Sequence, residues 1–443
     1  MQKTYYKFDL KGDKSNMKLG ILYQNGAVFQ RNAPIRISGE GCGRLEVRFL
    51  EKSYRFEITE ERWERCLDAE LAGGPYKMEF SLDGLPFCID DVYIGDVYLC
   101  AGQSNMEIVL EKCYCDRQAL RDDSLIRCFE LQTTTKEYSW KHATKENALK
   151  MTAIGYYFAK YAKEEGVCVG IVSCNRGATC AETWIDRELL LKAGLFVSDE
   201  EKQRLGQLFY PYNRCGELHK MLFSELRCFS FAACIYYQGE NNAAYPDDPP
   251  YDKLMELLID SWREELGGYK LPFVICELCD FGEYTNGKIN FAQIREHQRR
   301  VVQKRSDDAV YYITTTDLGE IYDIHPRRKK EIAERFWRAL SCNVFKKSCE
   351  WCGPFAEYAV IEGDSAIIHF SHADNMRAEG KVRTLTVSDN NDAPLEILSA
   401  EVVGSTIEIK ASGKIAHISL FFRNNPMTNI FNGAGLPATG FKI

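Results

Sequence analysis

The sequence contains no apolar run that approaches the ~20 residues needed by a membrane-spanning helix. It also contains no extended basic cluster, since its net charge is -8 and charges of both signs alternate along the chain. One short basic run, residues 327–330, is followed by Glu331 and Glu334, as in the solvated first turn of a helix. Neither a membrane nor a nucleic acid is therefore expected as a partner.

Cysteine is too sparse for a disulfide scaffold, because 18 cysteines are spread over 443 residues. Several lie inside apolar runs, where a free thiol behaves as a small hydrophobic group. Two CxxC pairs, Cys276/Cys279 and Cys349/Cys352, lie roughly 70 residues apart, too far for the usual zinc-site spacing. We therefore expect core thiols in a reducing compartment and no metal site.

The N-terminus also lacks a recognisable export signal. Residues 1–7 are polar and aromatic, without the apolar core of a signal peptide. The sequence as it stands predicts a cytoplasmic protein, or an exported one if a leader was removed from this chain.

The length predicts two or three domains. Strand-like alternation at 45–49 and 54–58, with glycine and asparagine clusters between the runs, predicts an N-terminal β-sandwich over residues 1–91. Strand patterns return late in the chain and predict a β-rich C-terminal domain over residues 343–443; they are 366–370, 385–387, 407–410 and 417–422. The pattern leaves open whether the two β regions pack together.

Residues 92–342 alternate between short apolar runs and amphipathic helical patterns. The predicted strands are 97–100, 167–173, 232–237, 272–277 and 310–315. The predicted helices are 153–163, 254–266, 291–304 and 330–340. This alternation is typical of an α/β domain with about five parallel strands covered on both faces, a three-layer flavodoxin-like arrangement.

Ligands of such domains bind beyond the carboxyl ends of the strands. After the first strand, residues 101–106 read AGQSNM, which places Ser104 where a helix would begin, although an ordinary N-cap would look the same. After the second, residues 175–179 read NRGAT, and Gly177 would let backbone N–H groups approach a ligand. After the third, residues 237–242 read YQGENN, a denser polar cluster than capping needs.

Among the seven histidines, His325 has the most suggestive surroundings. It follows the fifth predicted strand, with Asp323 two residues before it and a proline that fixes the turn after it. A serine nucleophile needs a base within hydrogen-bond reach, and that base needs an orienting carboxylate. Ser104, His325 and the two carboxylates Asp323 and Glu240 supply these groups, so the residues predict a serine hydrolase.

Three blocks of the sequence resemble the signature blocks of the sialate O-acetylesterase family, which belongs to the SGNH (GDSL-like) hydrolases. In chain order they are GQSNM at 102–106, YQGE at 237–240 and DIHP at 323–326. Further similarity lies in GAVFQR at 26–31, in residues 92–99 and in the C-terminal segments 425–426 and 432–438. The resemblance covers nearly the whole chain and implies an SGNH-type core over residues 92–342.

The resemblance implies Ser104 as nucleophile, His325 as general base and Asp323 as the group that orients the histidine. Glu240 matches a carboxylate that related acetyl xylan esterases use as an additional or alternative partner of the histidine. The family's reaction needs no cofactor.

The resemblance further implies an oxyanion hole built from the Ser104 N–H, the Gly177 N–H and the Gln238 side chain. Two positions depart from the family pattern: Ala178 replaces a usual glycine and Asn241 replaces a usual serine. Both border the predicted site, so the substrate preference of other members need not transfer.

Gln103, Asn241 and Trp184 are the predicted substrate-binding residues. Aromatic faces pack well against sugar rings, and the proline-rich loop 241–251 is a candidate pocket wall. For the loop and for Trp184, plain structural packing is the alternative interpretation.

The prediction is thus a carbohydrate O-acetylesterase whose partner is a small O-acetylated sugar, with sialate esters first and acetylated xylo-oligosaccharides second. A glycan-binding protein without activity on the same scaffold is the alternative from another class. A lipase or thioesterase is disfavoured, because no apolar lid for a long acyl chain is evident. The sequence leaves the oligomeric state open, as well as the choice between Asp323 and Glu240 as main partner of His325.

Overall fold

The structure is a computed structural model and describes residues 18–132, 138–208, 210–282 and 288–443. The chain forms two compact units. The first comprises Met1–Gly177, Gly216–Cys234 and Asp260–Leu271, and the second comprises Ala178–Cys215, Ile235–Ile259 and Pro272–Ile443. The three-domain division at 91/92 and 342/343 stays a prediction. The polar segment 1–7 lies outside the described residues, and the cytoplasmic location also stays a prediction.

The N-terminal part of the first unit consists of strands, as the alternation predicts. They are β1 (Lys18–Leu19), β2 (Val28–Gln30), β3 (Pro34–Glu40), β4 (Gly43–Phe49), β5 (Lys52–Ile58), β6 (Arg62–Ala69), β7 (Gly73–Leu82) and β8 (Leu85–Gly102). One antiparallel sheet has the order β1-β3-β6. In another, β4 pairs with β5 and β7, and β7 pairs with β8.

Strand β8 takes part in two kinds of pairing. Its first part runs antiparallel to β7, whereas its later part runs parallel to the strand at Cys168–Asn175. Every residue from Ile94 to Gly102 is buried, which fits an apolar run covered on both faces. The same strand therefore belongs to the N-terminal β region and ends two residues before Ser104.

The strands that follow are β9 (Asp123–Leu131), β10 (Lys141–Ala143), β11 (Cys168–Asn175), β12 (Ala233–Tyr237), β13 (Phe273–Cys276) and β14 (Val310–Ile313). All five segments predicted as strands of the α/β region are strands. The pairs β8–β11, β9–β11 and β13–β14 are parallel. Because β10 runs antiparallel to β9, the sheet is mixed.

Strand β9 was not predicted, because it carries Arg127 and Glu130 within a largely buried run. The Arg127 guanidinium is buried with a partner: its two terminal nitrogens donate to the Asp91 carboxylate at 2.8 and 3.0 Å. It also lies 4.4 Å from the centre of the Tyr93 ring. A charge in a buried strand is tolerated only when it is paired in this way, and the pairing is not visible in the sequence.

Helices alternate with these strands. They are α1 (Ser104–Glu107), α2 (Lys145–Lys150), α3 (Ala153–Ala162), α4 (Arg187–Ala193), α5 (Asp199–Arg204), α6 (Glu217–Met221), α7 (Tyr251–Glu265), α8 (Phe291–Lys304) and α9 (Lys329–Asn343). Four of them, α3, α7, α8 and α9, match the predicted amphipathic helices to within a few residues. No helix in the described ranges is long and apolar enough to cross a membrane.

The C-terminal part of the second unit is again built from strands. They are β15 (Phe355–Glu362), β16 (Ser365–Ser371), β17 (Arg377–Ala378), β18 (Leu385–Ser388), β19 (Ile397–Val403), β20 (Thr406–Ala411), β21 (His417–Leu420), β22 (Ile430–Phe431) and β23 (Phe441–Lys442). They form sheets with the orders β15-β16-β20-β19, β18-β21-β23 and β17-β22. Alternate residues such as Ile368, Ile407 and Ile418 form their shared apolar core.

Most free cysteines are buried, as the apolar runs predict, but Cys42 and Cys66 are exposed. Cys276, Cys279 and Cys352 are buried thiols. Cys342 and Cys349, however, form a disulfide at the end of α9, so the expectation of thiols throughout is wrong there. The two cysteines are seven residues apart, and the sequence gives no signal that they pair.

Candidate active site

Ser104 is the first residue of α1 and follows directly on β8. Gly102, the last residue of the strand, has a φ of 141°, a conformation that glycine adopts readily and other residues rarely do. The chain therefore turns sharply from strand to helix. This turn leaves Ser104 half-buried at the carboxyl end of β8, where the sequence places a nucleophile.

Gly177, also in the first unit, lies beside Ser104. A Cβ atom built on Gly177 would be 3.3 Å from the Ser104 Cβ. The Gly177 N–H donates a hydrogen bond to Glu107 Oε2 at 2.7 Å, and Arg176 Nη1 lies 3.1 Å from Glu107 Oε1. The backbone N–H predicted as an oxyanion donor thus already binds an anionic oxygen next to the serine. Glu107 was not singled out from the sequence, although it ends the same short helix.

Ala178 adopts a φ of 58°, in the left-handed region. The family's usual glycine fits this conformation without strain, whereas an alanine pays roughly 1–2 kcal/mol for it. The backbone of this chain therefore has at Ala178 a conformation that suits a glycine better than an alanine.

Gln238 lies in the second unit, directly after β12, and its side-chain amide is fully engaged. Its Nε2 donates to the Thr179 carbonyl at 2.9 Å and to Asn242 Oδ1 at 2.8 Å. Its Oε1 accepts from the Tyr251 hydroxyl at 2.7 Å. An amide nitrogen carries two hydrogens, and both have acceptors here. Its role as an oxyanion donor stays a prediction.

Glu240 and Asn241, which follow Gly239 in the YQGENN segment, differ in burial. Glu240 is buried, and Asn241 is half-buried with its Nδ2 2.9 Å from Cys180 Sγ. Between them and the strand, Gly239 has a φ of 138°. The turn that carries Glu240 therefore depends on a glycine.

His325 lies with Asp323 in a turn of the second unit. Asp323 Oδ1 accepts a hydrogen bond from the backbone N–H of His325 at 2.9 Å. The same oxygen lies 3.9 Å from His325 Nδ1, which is beyond hydrogen-bond distance. Asp323 thus fixes the backbone of the turn and acts on the imidazole through its charge. Which carboxylate is the histidine's main partner stays open.

Three contacts within the second unit hold this turn. Arg335 forms a two-pronged ion pair with Asp317, with both N···O distances 2.6 Å. The Gly282 N–H donates to the Ile321 carbonyl at 2.9 Å. Gly319 packs so closely on Asp280 that a Cβ atom would lie 1.9 Å from Asp280 Oδ1. The histidine therefore sits on a firmly held segment.

Lys329 corrects the interpretation of the run 327–330 as a solvated turn. Its neighbours Arg327, Arg328 and Lys330 are exposed, but Lys329 is fully buried at the start of α9. Its Nζ lies 5.4 Å from the centre of the Tyr237 ring. Burial lowers the pKa of His325 below its ordinary value of 6.5, and the charge of Lys329 lowers it further, while Asp323 opposes both effects. A neutral imidazole, which a general base requires, is thereby favoured.

The predicted substrate-binding residues are less accessible than a sugar platform needs. Trp184 is only 1% exposed, and its indole N–H donates to Thr179 Oγ1 at 3.1 Å. Its ring faces are covered by packing, which favours the packing interpretation, and its role as a sugar-stacking residue stays a prediction. Gln103 is buried as well. In the loop 241–251, Asp247 Oδ1 lies 2.8 Å from His297 Nε2, so the loop is tied to α8.

The described residues include no group of three or more histidine, cysteine, aspartate or glutamate side chains that could hold a metal ion.

Comparison with known proteins agrees with the blocks of the sequence. The family model described as "Carbohydrate esterase, sialic acid-specific acetylesterase" matches residues 94–335. Sialate O-acetylesterase of Rattus norvegicus is 23% identical over 403 residues, covering 77% of this chain and 74% of the rat protein. The Homo sapiens enzyme is 22% identical over 376 residues, covering 75% of this chain and 70% of the human protein.

The crystal structure of a carbohydrate acetylesterase from Xanthomonas citri superposes with a TM-score of 0.84 at 26% identity. The match covers 96% of this chain and 99% of that one, so the fold is shared over almost its whole length. The family model spans more than half of the chain and includes Ser104, Gly177, Gln238, Glu240 and His325. The chain belongs to the carbohydrate esterase family of sialic acid-specific acetylesterases.

Proposed function

We propose that this carbohydrate O-acetylesterase works through a serine acetyl-enzyme, with Ser104 as nucleophile and His325 as general base. The observation that carries the proposal is the contact of Ser104 with Gly177, whose N–H already donates to a carboxylate oxygen at 2.7 Å. This N–H is directed at an anionic oxygen beside the serine, and it can bind the oxyanion of a tetrahedral intermediate once Glu107 Oε2 releases its single hydrogen.

The reaction follows from these roles. His325 takes the Ser104 proton while the serine oxygen attacks the acetyl carbonyl carbon. The resulting oxyanion accepts from the N–H groups of Ser104 and Gly177, and His325 then gives its proton to the departing sugar oxygen. Water, deprotonated by His325, attacks the acetyl carbonyl carbon of the acetyl-serine. The bond to the Ser104 oxygen then breaks, His325 returns the proton to that oxygen, and acetate is released. Each oxyanion donor is expected to contribute about 3–4 kcal/mol to transition-state stabilisation.

Gln238 needs a rearrangement to act as a third donor. One of its amide hydrogens would have to leave the Thr179 carbonyl or Asn242 Oδ1. Gly177 has the same requirement, because its one N–H donates to Glu107 Oε2. We therefore assign Gly177 and Gln238 to the hole on the condition that substrate binding releases one of these hydrogen bonds at each residue.

The scaffold of this proposal is a three-layer, flavodoxin-like SGNH core. Support comes from the five strand segments that the sequence predicts, from the parallel pairs β8–β11 and β13–β14, and from the helices between them. In such a core, catalytic groups gather beyond the carboxyl ends of the strands, as Ser104 does after β8.

Sialate esters are the first substrate we propose, because the matching family is described as sialic acid-specific. Acetylated xylo-oligosaccharides are the alternative. The neighbour from Xanthomonas citri is described only as a carbohydrate acetylesterase, so it supports neither sugar over the other.

Covalent labelling tests the nucleophile directly. A fluorophosphonate probe should modify the intact protein at Ser104, as located by peptide mass spectrometry, and should leave Ser104→Ala unlabelled. Ser224→Ala is the matched control, since it removes a hydroxyl that donates to the Lys220 carbonyl, and it should label normally. A label on any other residue, retained in Ser104→Ala, would refute the assignment.

A further inference from the structure

We propose that the buried Lys202–Glu182 ion pair positions the catalytic loops through Asn242. The pair fixes Asn242, Asn242 fixes the Gln238 side chain, and Gln238 fixes the chain at Thr179. Lys202, Glu182 and Asn242 are thus positioning residues for the esterase reaction. The inference rests on the proposed function, because the loops concerned carry its candidate groups.

The ion pair is the first link. Lys202, on α5, places Nζ 2.6 Å from Glu182 Oε1, and both side chains are fully buried. Burial alone would raise the pKa of Glu182, but the charge of Lys202 and the hydrogen bonds to the carboxylate together lower it below its ordinary value. The pair is therefore ionised.

An ionised pair in this position is not explained by stability alone. Removing two charges from water costs about as much as their attraction returns, so apolar side chains of equal volume would stabilise the core as well. A pair that is retained despite this cost is expected to fix an arrangement of other polar groups.

Asn242 is the second link. Its Nδ2 donates to Glu182 Oε2 at 3.1 Å, and its Oδ1 accepts from the Ala181 N–H at 2.9 Å and from Gln238 Nε2 at 2.8 Å. A flipped amide would face the carboxylate with its oxygen and two donors with its nitrogen. The carboxylate thereby selects one orientation of Asn242.

Gln238 is the third link, and its orientation is also unique. With Oε1 held by the Tyr251 hydroxyl, Nε2 is directed at the Thr179 carbonyl and at Asn242. Thr179 follows Ala178 and Gly177 along the chain, and Glu240 follows Gln238. An ordered series of donors and acceptors therefore connects a buried ammonium group to both segments that carry catalytic candidates.

Glu182→Gln should break this series. Lys202 and Asn242 donate to different oxygens of the carboxylate, so in glutamine one of these two donors would face the amide nitrogen. The ammonium is also left without a counter-charge. The double variant Lys202→Met/Glu182→Gln should repair it, because the glutamine oxygen is then free to accept from Asn242. Asn242→Leu keeps the ion pair but removes the hydrogen bonds that connect it to Gln238. This variant should therefore behave like Glu182→Gln.

The matched control is another buried ion pair of the second unit. Glu296 and Arg299 of α8 pair at 2.9 Å, and Arg299 Nη1 donates to the Ala356 carbonyl on β15. Glu296→Gln therefore disturbs a buried charge of the same kind and leaves the hydrogen bonds among Glu182, Asn242 and Gln238 in place. It should lower the thermal midpoint and leave the turnover per folded molecule unchanged.

The readout is kcat on 4-nitrophenyl acetate, divided by the folded fraction from near-ultraviolet circular dichroism. Glu182→Gln and Asn242→Leu should lose about tenfold to a hundredfold in kcat, the scale of a misplaced catalytic group. The double variant should recover to within about threefold of the parent. Equal kcat in the parent and in folded Asn242→Leu would overturn the proposal, as would equal losses in Glu182→Gln and Glu296→Gln. Full activity of Ser104→Ala would instead refute the proposed function, whatever these variants do.

Discussion

Gly177 is wedged between Ser104 and Glu107. A methyl group in place of its hydrogen would lie 3.3 Å from the Ser104 Cβ and 2.9 Å from Glu107 Oε2. The same residue donates its N–H to Glu107. A larger side chain fits there only if the Glu107 carboxylate or the Ser104 segment moves, and either movement disturbs the surroundings of the proposed oxyanion donor.

Gly177→Ala should therefore impair catalysis while the protein stays folded. Displacement of one oxyanion donor by a few tenths of an ångström should lower kcat on 4-nitrophenyl acetate by about tenfold to a thousandfold. Gly440→Ala is the control, because its Cβ would meet the Phe421 carbonyl oxygen at a similar 3.3 Å in the C-terminal β region. Normal kcat in Gly177→Ala would remove this N–H from the mechanism.

The pH dependence of kcat/KM should follow the charges around His325. Burial and the Lys329 charge lower its pKa, and Asp323 raises it, so the acid limb should lie below the ordinary 6.5. Lys329→Met removes a charge that lowers the pKa, and the acid limb should move to higher pH. Asp323→Asn removes the opposing charge, and the limb should move to lower pH. Profiles of kcat/KM between about pH 4 and pH 9, a range that brackets the imidazole pKa, measure both shifts. Shifts of the opposite sign would contradict the assignment of His325 as base.

Tyr322 is the exposed aromatic residue that we expect to meet the sugar. It is 83% exposed in the turn closed by the Asp323 N–H and the Glu320 carbonyl, three residues before His325. Tyr322→Ala should raise KM for an O-acetylated sugar by about threefold or more and leave kcat on 4-nitrophenyl acetate unchanged. Tyr358→Ala, at a 55% exposed tyrosine on β15, should change neither value. Unaltered KM in Tyr322→Ala would exclude the contact.

Trp184 should respond differently, because it is a packing residue. Trp184→Ala leaves a cavity and removes the hydrogen bond from the indole to the Thr179 hydroxyl, and should destabilise the fold by about 3–5 kcal/mol. Denaturant unfolding measures this loss. A stable Trp184→Ala protein with a raised KM would restore the tryptophan to the sugar pocket.

The cysteines give a simple chemical count. Sixteen of the 18 cysteines are free thiols and two form the Cys342–Cys349 disulfide. Titration in denaturant without reductant should find 16 thiols, and titration after reduction should find 18. A count of 18 before reduction would show that this pair is open in the protein measured.

The periodic elements were predictable, because their signal is local. Helix α8, Phe291–Lys304, has the bounds that its apolar stripe predicts, and the strand ends that carry Ser104 and Gln238 follow from short apolar runs. Gly102 and Gly177 were informative for the same reason. A glycine in the sequence directly marks a position where the backbone can turn sharply or approach a ligand closely.

Buried charges were not predictable, because their partners are distant in the sequence. The basic neighbours of Lys329 indicate a solvated turn, and the acidic start of α5 gives no sign that Lys202 is buried. Lys202 is buried against Glu182, 20 residues away. The sequence has a similar limit at Trp184, because composition indicates an aromatic residue near the site but not whether its faces are covered.

Acetate release from O-acetylated sialic acid, by the intact protein and by Ser104→Ala, tests the central claim most directly. The account predicts release by the intact protein and none above background by the variant. If acetate is still released by Ser104→Ala at the rate of the parent, the nucleophile lies elsewhere and the account is contradicted.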